Sequence, residues 1–125
     1  LKRLGWEDKI AQRLSASLMC PAVGQGALAI EAREGNYRAQ ILEDPISRLA
    51  VTAERACLRE FGGGCQIPLG AYARVSGEEI NLQAVVVSPD GKRVLRQMAT
   101  GTDADSLGRA VAAGLIRQGA HEVLA

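Results

Sequence analysis

Residues 69–87 read LGAYARVSGEEINLQAVVV, and this stretch decides the fold. Two runs of alternating or β-branched apolar residues, Leu69–Val75 and Ile80–Val87, flank a short turn at Ser76–Glu79. Such runs on either side of a glycine-containing turn predict an antiparallel hairpin. A third run, Arg93–Thr100, follows the strong turn sequence Pro89–Gly91. The stretch therefore predicts three consecutive antiparallel strands.

Helices are predicted on both sides of these strands. Asp44 as N-cap and Pro45 in the first turn begin one helix, and Gly62–Gly64 ends it. Thr102 or Asp103 caps a second helix that ends at Gly119. The two apolar faces consist of Ile46, Leu49, Ala50, Ala53, Cys57 and Phe61, and of Leu107, Ala110, Val111, Gly114 and Leu115. This order predicts an α+β domain whose three-stranded antiparallel sheet is covered by helices on one face.

The first 43 residues carry weaker structural signals. Trp6, Ile10 and Leu14 recur every four positions, which predicts a short amphipathic helix over residues 5–14. Residues 19–26 contain proline and two glycines and suggest a connector, after which Gly26–Ala32 is a predicted strand. Residues 36–42 favour one or two helical turns. Since the sequence starts at Leu1 without an initiator Met or signal peptide, we expect it to belong to a longer protein.

Composition narrows the classes of function. The 125 residues suit one compact domain, or one domain plus a piece of another. A net charge of +1 and 3% aromatic residues disfavour a nucleic-acid partner, and no apolar run is long enough for a bilayer span. Three cysteines and one histidine without a Cys-x-x-Cys pair predict neither a disulfide scaffold nor a metal site. We expect a soluble intracellular protein without a membrane partner.

Cys65 is the main candidate for chemistry. Three consecutive glycines precede it at a cost in backbone entropy, which suggests that a bulky group approaches the backbone there. Pro68 stiffens the exit of the loop. Cys65 also follows the C-terminal end of a predicted helix, where the helix dipole disfavours a thiolate. That position suits a thiol that reacts once and stays alkylated, although a buried structural cysteine remains the alternative.

Four motifs in order resemble the hydroxymethylbilane synthase (porphobilinogen deaminase) family over essentially the whole chain. Gly63–Gly70 resembles the cofactor-attachment loop, and Val51–Ala56 resembles the helix before it. Pro21–Glu31 resembles the segment that crosses between the first two domains, and Leu1–Gly5 the end of the second domain. The chain departs from the pattern at Gly62, where the family often has an acidic residue.

The resemblance implies a transferase of tetrapyrrole (haem or chlorophyll) biosynthesis. A dipyrromethane cofactor would be linked to Cys65 by a thioether, and four porphobilinogen molecules would be deaminated and joined onto it. Hydrolysis would then release hydroxymethylbilane. By the same resemblance Gly64, Gln25 and Gly26 would border the cofactor, and Arg3 would bind carboxylates of the pyrrole chain. Arg3 is also compatible with a plain exposed residue.

The resemblance also implies a division of the chain. Residues 1–20 would be the tail of domain 2, residues 21–43 the hinge and crossing segment of domain 1, and residues 44–125 the C-terminal cofactor-attachment domain. The family's catalytic Asp lies in the first domain and has no counterpart here. We therefore expect no catalytic residue in this chain, no activity from it alone, and no assembly of its own cofactor.

The expected partners are porphobilinogen, the growing polypyrrole and the missing domains of the same enzyme. The full enzyme would be monomeric, in the bacterial cytoplasm or in a eukaryotic plastid or cytosol. An unpaired strand over residues 26–32 invites pairing with another chain. The chain by itself is therefore expected to associate through residues 1–43, or to leave them poorly ordered.

Two other classes of function stay open. One is a non-enzymatic α+β binding module, because a fold alone does not fix function. The other is a cysteine hydrolase or thiol oxidoreductase, for which His121 is the sole histidine available as a base. Ordinary structural roles are expected elsewhere. Cys57 and Cys20 are predicted to be structural, His121 solvated or capping, and five arginines solvated or ion-paired: Arg33, Arg38, Arg48, Arg55 and Arg59.

Overall fold

The computed structural model describes residues 1–64 and 66–124. Short 3₁₀ helices span Lys2–Leu4, Glu7–Lys9 and Tyr37–Leu42. The remaining elements are α1 (Pro45–Arg59), β1 (Leu69–Ser76), β2 (Glu79–Val87), β3 (Val94–Gly101), α2 (Ala104–Arg117) and α3 (Ala120–Leu124).

The three predicted strands are confirmed, each within one residue of its predicted start and end. They form an antiparallel sheet in the order β1-β2-β3. The first hairpin is a tight one, because Ser76 pairs with Glu79 across Gly77, whose φ is 60°. Such a left-handed residue matches the twist of paired strands, which is why glycine stands at this position. The second turn is closed by the Ser88 N–H, which donates to the Arg93 carbonyl at 2.9 Å.

The predicted helix starts are confirmed by their caps. The Asp44 carboxylate accepts from the Ser47 N–H at 2.9 Å, and Asp103, not Thr102, accepts from the Ser106 N–H at 2.8 Å. Each cap satisfies an N–H that has no partner inside its helix. Asn36 accepts from the Arg38 N–H in the same way and begins the predicted turn at Tyr37–Leu42.

One face of the sheet carries the core, as predicted for this α+β fold. α1 lies along β1, and α2 lies along β2 and β3. Inward and outward residues alternate along the strands, so the helices cover a continuous apolar surface. The largest fully buried side chains are Ile80, Leu82, Val86, Val111, Leu115 and Cys57.

Two predictions for the first 43 residues are wrong. Residues 26–32 form no strand, and Leu28 is 96% exposed. A strand is stabilised by a neighbouring strand, and the described residues offer none beside this segment. The predicted helix over residues 5–14 is reduced to Glu7–Lys9, with Trp6 and Leu14 about half exposed. Without a surface to cover, apolar periodicity does not stabilise so short a helix.

Smaller corrections concern the helices. Ile46 and Leu49, predicted on the apolar face of α1, are exposed, and the first fully buried residue of this helix is Ala53. On α2, Ala110 was predicted on the apolar face but is exposed. Gly108 is buried instead, at the contact between α2 and α1. The sequence reading also missed α3, which begins after Gly119, a residue with a φ of 90°.

Candidate functional site

The loop at residues 62–68 joins α1 to β1. Gly62 has a φ of 92° and Gly63 a φ of 60°, values that other residues rarely adopt. The Gly63 N–H donates to the Leu58 carbonyl at 3.2 Å, which ends the helix. A Cβ built on Gly62 or Gly64 would meet no atom within 4 Å. The backbone before Cys65 is therefore open to an approaching group, whereas Cys65 itself lies outside the described residues.

The far end of this loop is held by the sheet. The Pro68 carbonyl accepts from the Val87 N–H at 3.2 Å, and Ile67 packs against the core. The Ile67 N–H lies 3.4 Å from the Gly64 carbonyl oxygen. A group attached within this loop would thus be carried on a short span between two fixed elements.

The connector lies against the outer edge of β1. Ala22 forms an antiparallel bridge with Gly70, and the Ala71 N–H donates to the Pro21 carbonyl at 3.0 Å. A Cβ on Gly70 would lie 2.9 Å from the Cys20 carbonyl oxygen, so only glycine allows this approach. The structure therefore brings the connector to the first residues of β1, directly after the 62–68 loop.

Glu54 links the connector to both α1 and β1. It is only 6% exposed, and its Oε2 accepts from the Gly24 N–H at 2.7 Å. Its Oε1 accepts from the Ala73 N–H at 2.8 Å. Burial raises the pKa of Glu54, against the opposing effects of these two hydrogen bonds and of Arg55. Sequence reasoning missed this residue, although a Glu within the apolar stripe of a helix is itself a signal.

The predicted site residues fall into two groups. Gly64 lies in the loop, while Gln25 and Gly26 lie in the connector, where the Gln25 Oε1 accepts from the Ala22 N–H at 3.0 Å and Gly26 has a φ of 90°. Arg3 lies apart on the first 3₁₀ helix and is exposed. Within residues 1–64 and 66–124, it forms no hydrogen bond or ion pair that would bring it to the loop.

The two other cysteines have structural surroundings. Cys57 is fully buried, as predicted, and burial raises the pKa of its thiol to about 12. Cys20 is half-buried, with its Sγ 3.9 Å from the Gln83 carbonyl oxygen. Burial raises the pKa of Cys20 against the opposing effect of Arg96. Neither thiol is set up as a nucleophile.

His121 and the arginines are placed as follows. The His121 ring lies 5.8 Å from the Phe61 ring, centre to centre, at the start of the glycine loop. This proximity could not be read from the separation of the two residues in sequence. Two of the arginines form the expected ion pairs, Arg48 with Glu43 and Arg59 with Asp105. The other three are exposed: Arg33, Arg38 and Arg55.

Two family models of known proteins match most of the chain. Residues 48–117 match the family model described as "Porphobilinogen deaminase, C-terminal domain". Residues 1–41 match "Porphobilinogen deaminase, dipyromethane cofactor binding domain". The chain thus combines an α+β C-terminal domain with part of a cofactor-binding domain. It belongs to the porphobilinogen deaminase family.

Curated relatives support this assignment. The chain is 48% identical to the porphobilinogen deaminase of Brevibacillus brevis and 43% identical to that of an Exiguobacterium species, over its full length. It is 46% identical to the Acidothermus cellulolyticus protein over 99% of its length. The chain spans 42%, 43% and 40% of these three relatives, respectively. In the part of the chain that the structure describes, no helix combines the length and the apolar character needed to cross a bilayer.

Proposed function

We propose that this chain is the cofactor-carrying part of a transferase that polymerises porphobilinogen into hydroxymethylbilane, in tetrapyrrole biosynthesis. The observation that carries the proposal is the open glycine loop at residues 62–68, fixed at both ends, in a chain that matches the family models over residues 1–41 and 48–117. The attachment point is Cys65. The bond is a thioether, in keeping with a thiol that reacts once and is not regenerated.

The residues of the loop fit a dipyrromethane group. The space beside Gly62 and Gly64 admits a bulky substituent close to the backbone. When bound, this group supplies the pyrrole carbon onto which the substrate units are joined. Gln25 and Gly26 border it from the connector, and Arg3 pairs with its carboxylates once the remainder of the enzyme positions the first 3₁₀ helix.

The chain alone does not catalyse under this proposal. In residues 1–64 and 66–124, no hydrogen bond or ion pair joins Arg3 to the loop, and the segment that follows the connector has no strand to pair with. The other domains of the same enzyme would supply the catalytic carboxylate and the partners of residues 1–43. Residues 1–20, 21–43 and 44–125 are then parts of three different domains.

The test is the intact denaturing mass of the protein extended upstream to its own start codon. The parent should carry an added mass equal to two linked pyrrole units, and Cys65→Ala should lack it. Cys20→Ala is the matched control, because it removes a thiol near the connector and should keep the added mass. A folded parent without added mass would contradict the proposal and favour a binding module.

One observation favours the alternative of a cysteine hydrolase. His121, the candidate base, contacts Phe61 beside the loop. A base in such a role must lie within hydrogen-bond reach of its nucleophile. The same mass experiment separates the two functions. His121→Ala should keep the pyrrole mass and the polymerising activity of the extended protein, whereas a hydrolase would lose its activity.

A further inference from the structure

The outer edge of β1 has two N–H groups that are bound in different ways. β1 is an edge strand, with β2 as its neighbour in the sheet. The Ala71 N–H donates to a backbone carbonyl, that of Pro21. The Ala73 N–H donates instead to the Glu54 carboxylate at 2.8 Å. The Glu54 side chain of α1 therefore supplies the acceptor that a neighbouring strand would otherwise provide.

The connector needs this carboxylate because its own pairing is short. Continued from Ala22 and Gly70, the ladder would set Met19 opposite Ala73, but Met19 instead closes a turn onto the Ser15 carbonyl. Proline at position 21 has no N–H to return to β1. The second oxygen of Glu54 accepts from the Gly24 N–H at 2.7 Å, so that one carboxylate binds both β1 and the connector.

We propose that Glu54 is a positioning residue that holds the connector, and with it Gln25 and Gly26, against the strand that leaves the 62–68 loop. The significance of that loop rests on the proposed function, whereas the positioning rests on the contacts alone. A carboxylate has two acceptor oxygens, one for each N–H. A carboxamide offers a single oxygen, so Gln at this position can satisfy only one of the two donors.

The experiment is residue-resolved amide hydrogen exchange on the 125-residue chain, comparing the parent with Glu54→Gln and Glu54→Asp. Loss of a hydrogen bond to a charged group should speed exchange about tenfold or more at Gly24, at Ala73 or at both. The core amides of Leu82 and Val111 should keep their rates. Glu60→Gln is the matched control, since it neutralises an exposed carboxylate at the end of the same helix and should change neither site.

Three results would overturn the inference. These are unchanged exchange at both Gly24 and Ala73 in both variants, an equal acceleration at the core amides, and failure of both variants to fold. The last two would make Glu54 a support of the whole domain and not of the connector. The mass measurement on the extended protein is independent. A parent without pyrrole mass would end the proposed function and leave the exchange result standing.

Discussion

At the scale of single residues, Glu54 shows how burial and hydrogen bonding oppose each other. Its side chain is almost completely removed from water, which disfavours the ionised form. The two backbone donors favour the ionised form, as does the positive charge of Arg55. Cys20 lies close enough for its own pKa to be raised in part by Glu54. Desolvation is the largest of these effects, so the pKa of Glu54 is raised.

A dependence of stability on pH follows from this raised pKa. The folded chain binds the Glu54 proton more tightly than the unfolded chain does, because the pKa of a Glu side chain in the unfolded chain has its ordinary value of 4.5. Glu54 therefore contributes most to the free energy of unfolding below about pH 4.5, and that contribution is lost as the pH rises through the raised pKa. The stability of the parent relative to Glu54→Gln should fall over this interval.

Urea unfolding of the parent and of Glu54→Gln, at a series of pH values from 4 to 7, measures this difference. Glu60→Gln serves as the control, because it removes an exposed carboxylate at the C-terminal cap of the same helix. A stability difference that grows with rising pH would show that the two hydrogen bonds outweigh desolvation.

At the scale of elements, the contact of α1 with α2 depends on Gly108. A Cβ at this position would lie 2.4 Å from both the Ala53 carbonyl oxygen and the Ala56 Cβ. These atoms belong to a packed helix and cannot move aside without shifting α1. At Gly114, also on α2, the nearest atoms are instead those of the flexible Gln97 side chain.

Gly108→Ala should therefore lower the free energy of unfolding by about 1–3 kcal/mol, the usual cost of overpacking a core. Gly114→Ala is the matched control. Its clash is relieved by moving Gln97, and alanine gains up to about 1 kcal/mol in helix propensity. Thermal or urea unfolding of the two variants tests this contrast. Equal decreases in the free energy of unfolding for both variants would mean that α1 and α2 can shift apart at little cost.

The elements that could be predicted from the sequence are those whose stabilising contacts lie within this chain. The strands and capped helices after Asp44 could be read because Asp44, Asp103 and the turn glycines act locally, and the apolar faces meet within this chain. The prediction of a strand at Gly26–Ala32 was wrong, because a strand depends on a neighbouring strand and the described residues include none beside this segment. Glu54 was missed since its partners lie 30 and 19 residues away.

At the scale of the whole molecule, the two ends of the chain differ in burial. Among the described residues, the buried apolar side chains all lie between Ala53 and Val123. Most of the exposed large apolar side chains lie within residues 1–49, including Leu28 at 96% and Ile41 at 84% exposed. Exposed apolar surface of this kind favours association with another chain.

We therefore expect the isolated chain to associate reversibly through residues 1–43, as sedimentation velocity at several concentrations would show. The double substitution Leu28→Lys and Ile30→Lys should shift it towards the monomer. Met98→Lys is the control, because it changes an exposed apolar residue on β3 and should have no such effect. A parent that is monomeric at every concentration would contradict the expectation.

The binding of the connector to β1 also limits the symmetry of any assembly built by strand addition. Pro21 and Glu54 already occupy the Ala71 and Ala73 donors on that edge. Among the described strands, β3 keeps the other edge open. Two copies that pair edge to edge through β3 across a two-fold axis cover both β3 edges at once. The same contact that seats the connector thus withdraws the Ala71 and Ala73 donors from any growth of the sheet beyond β1.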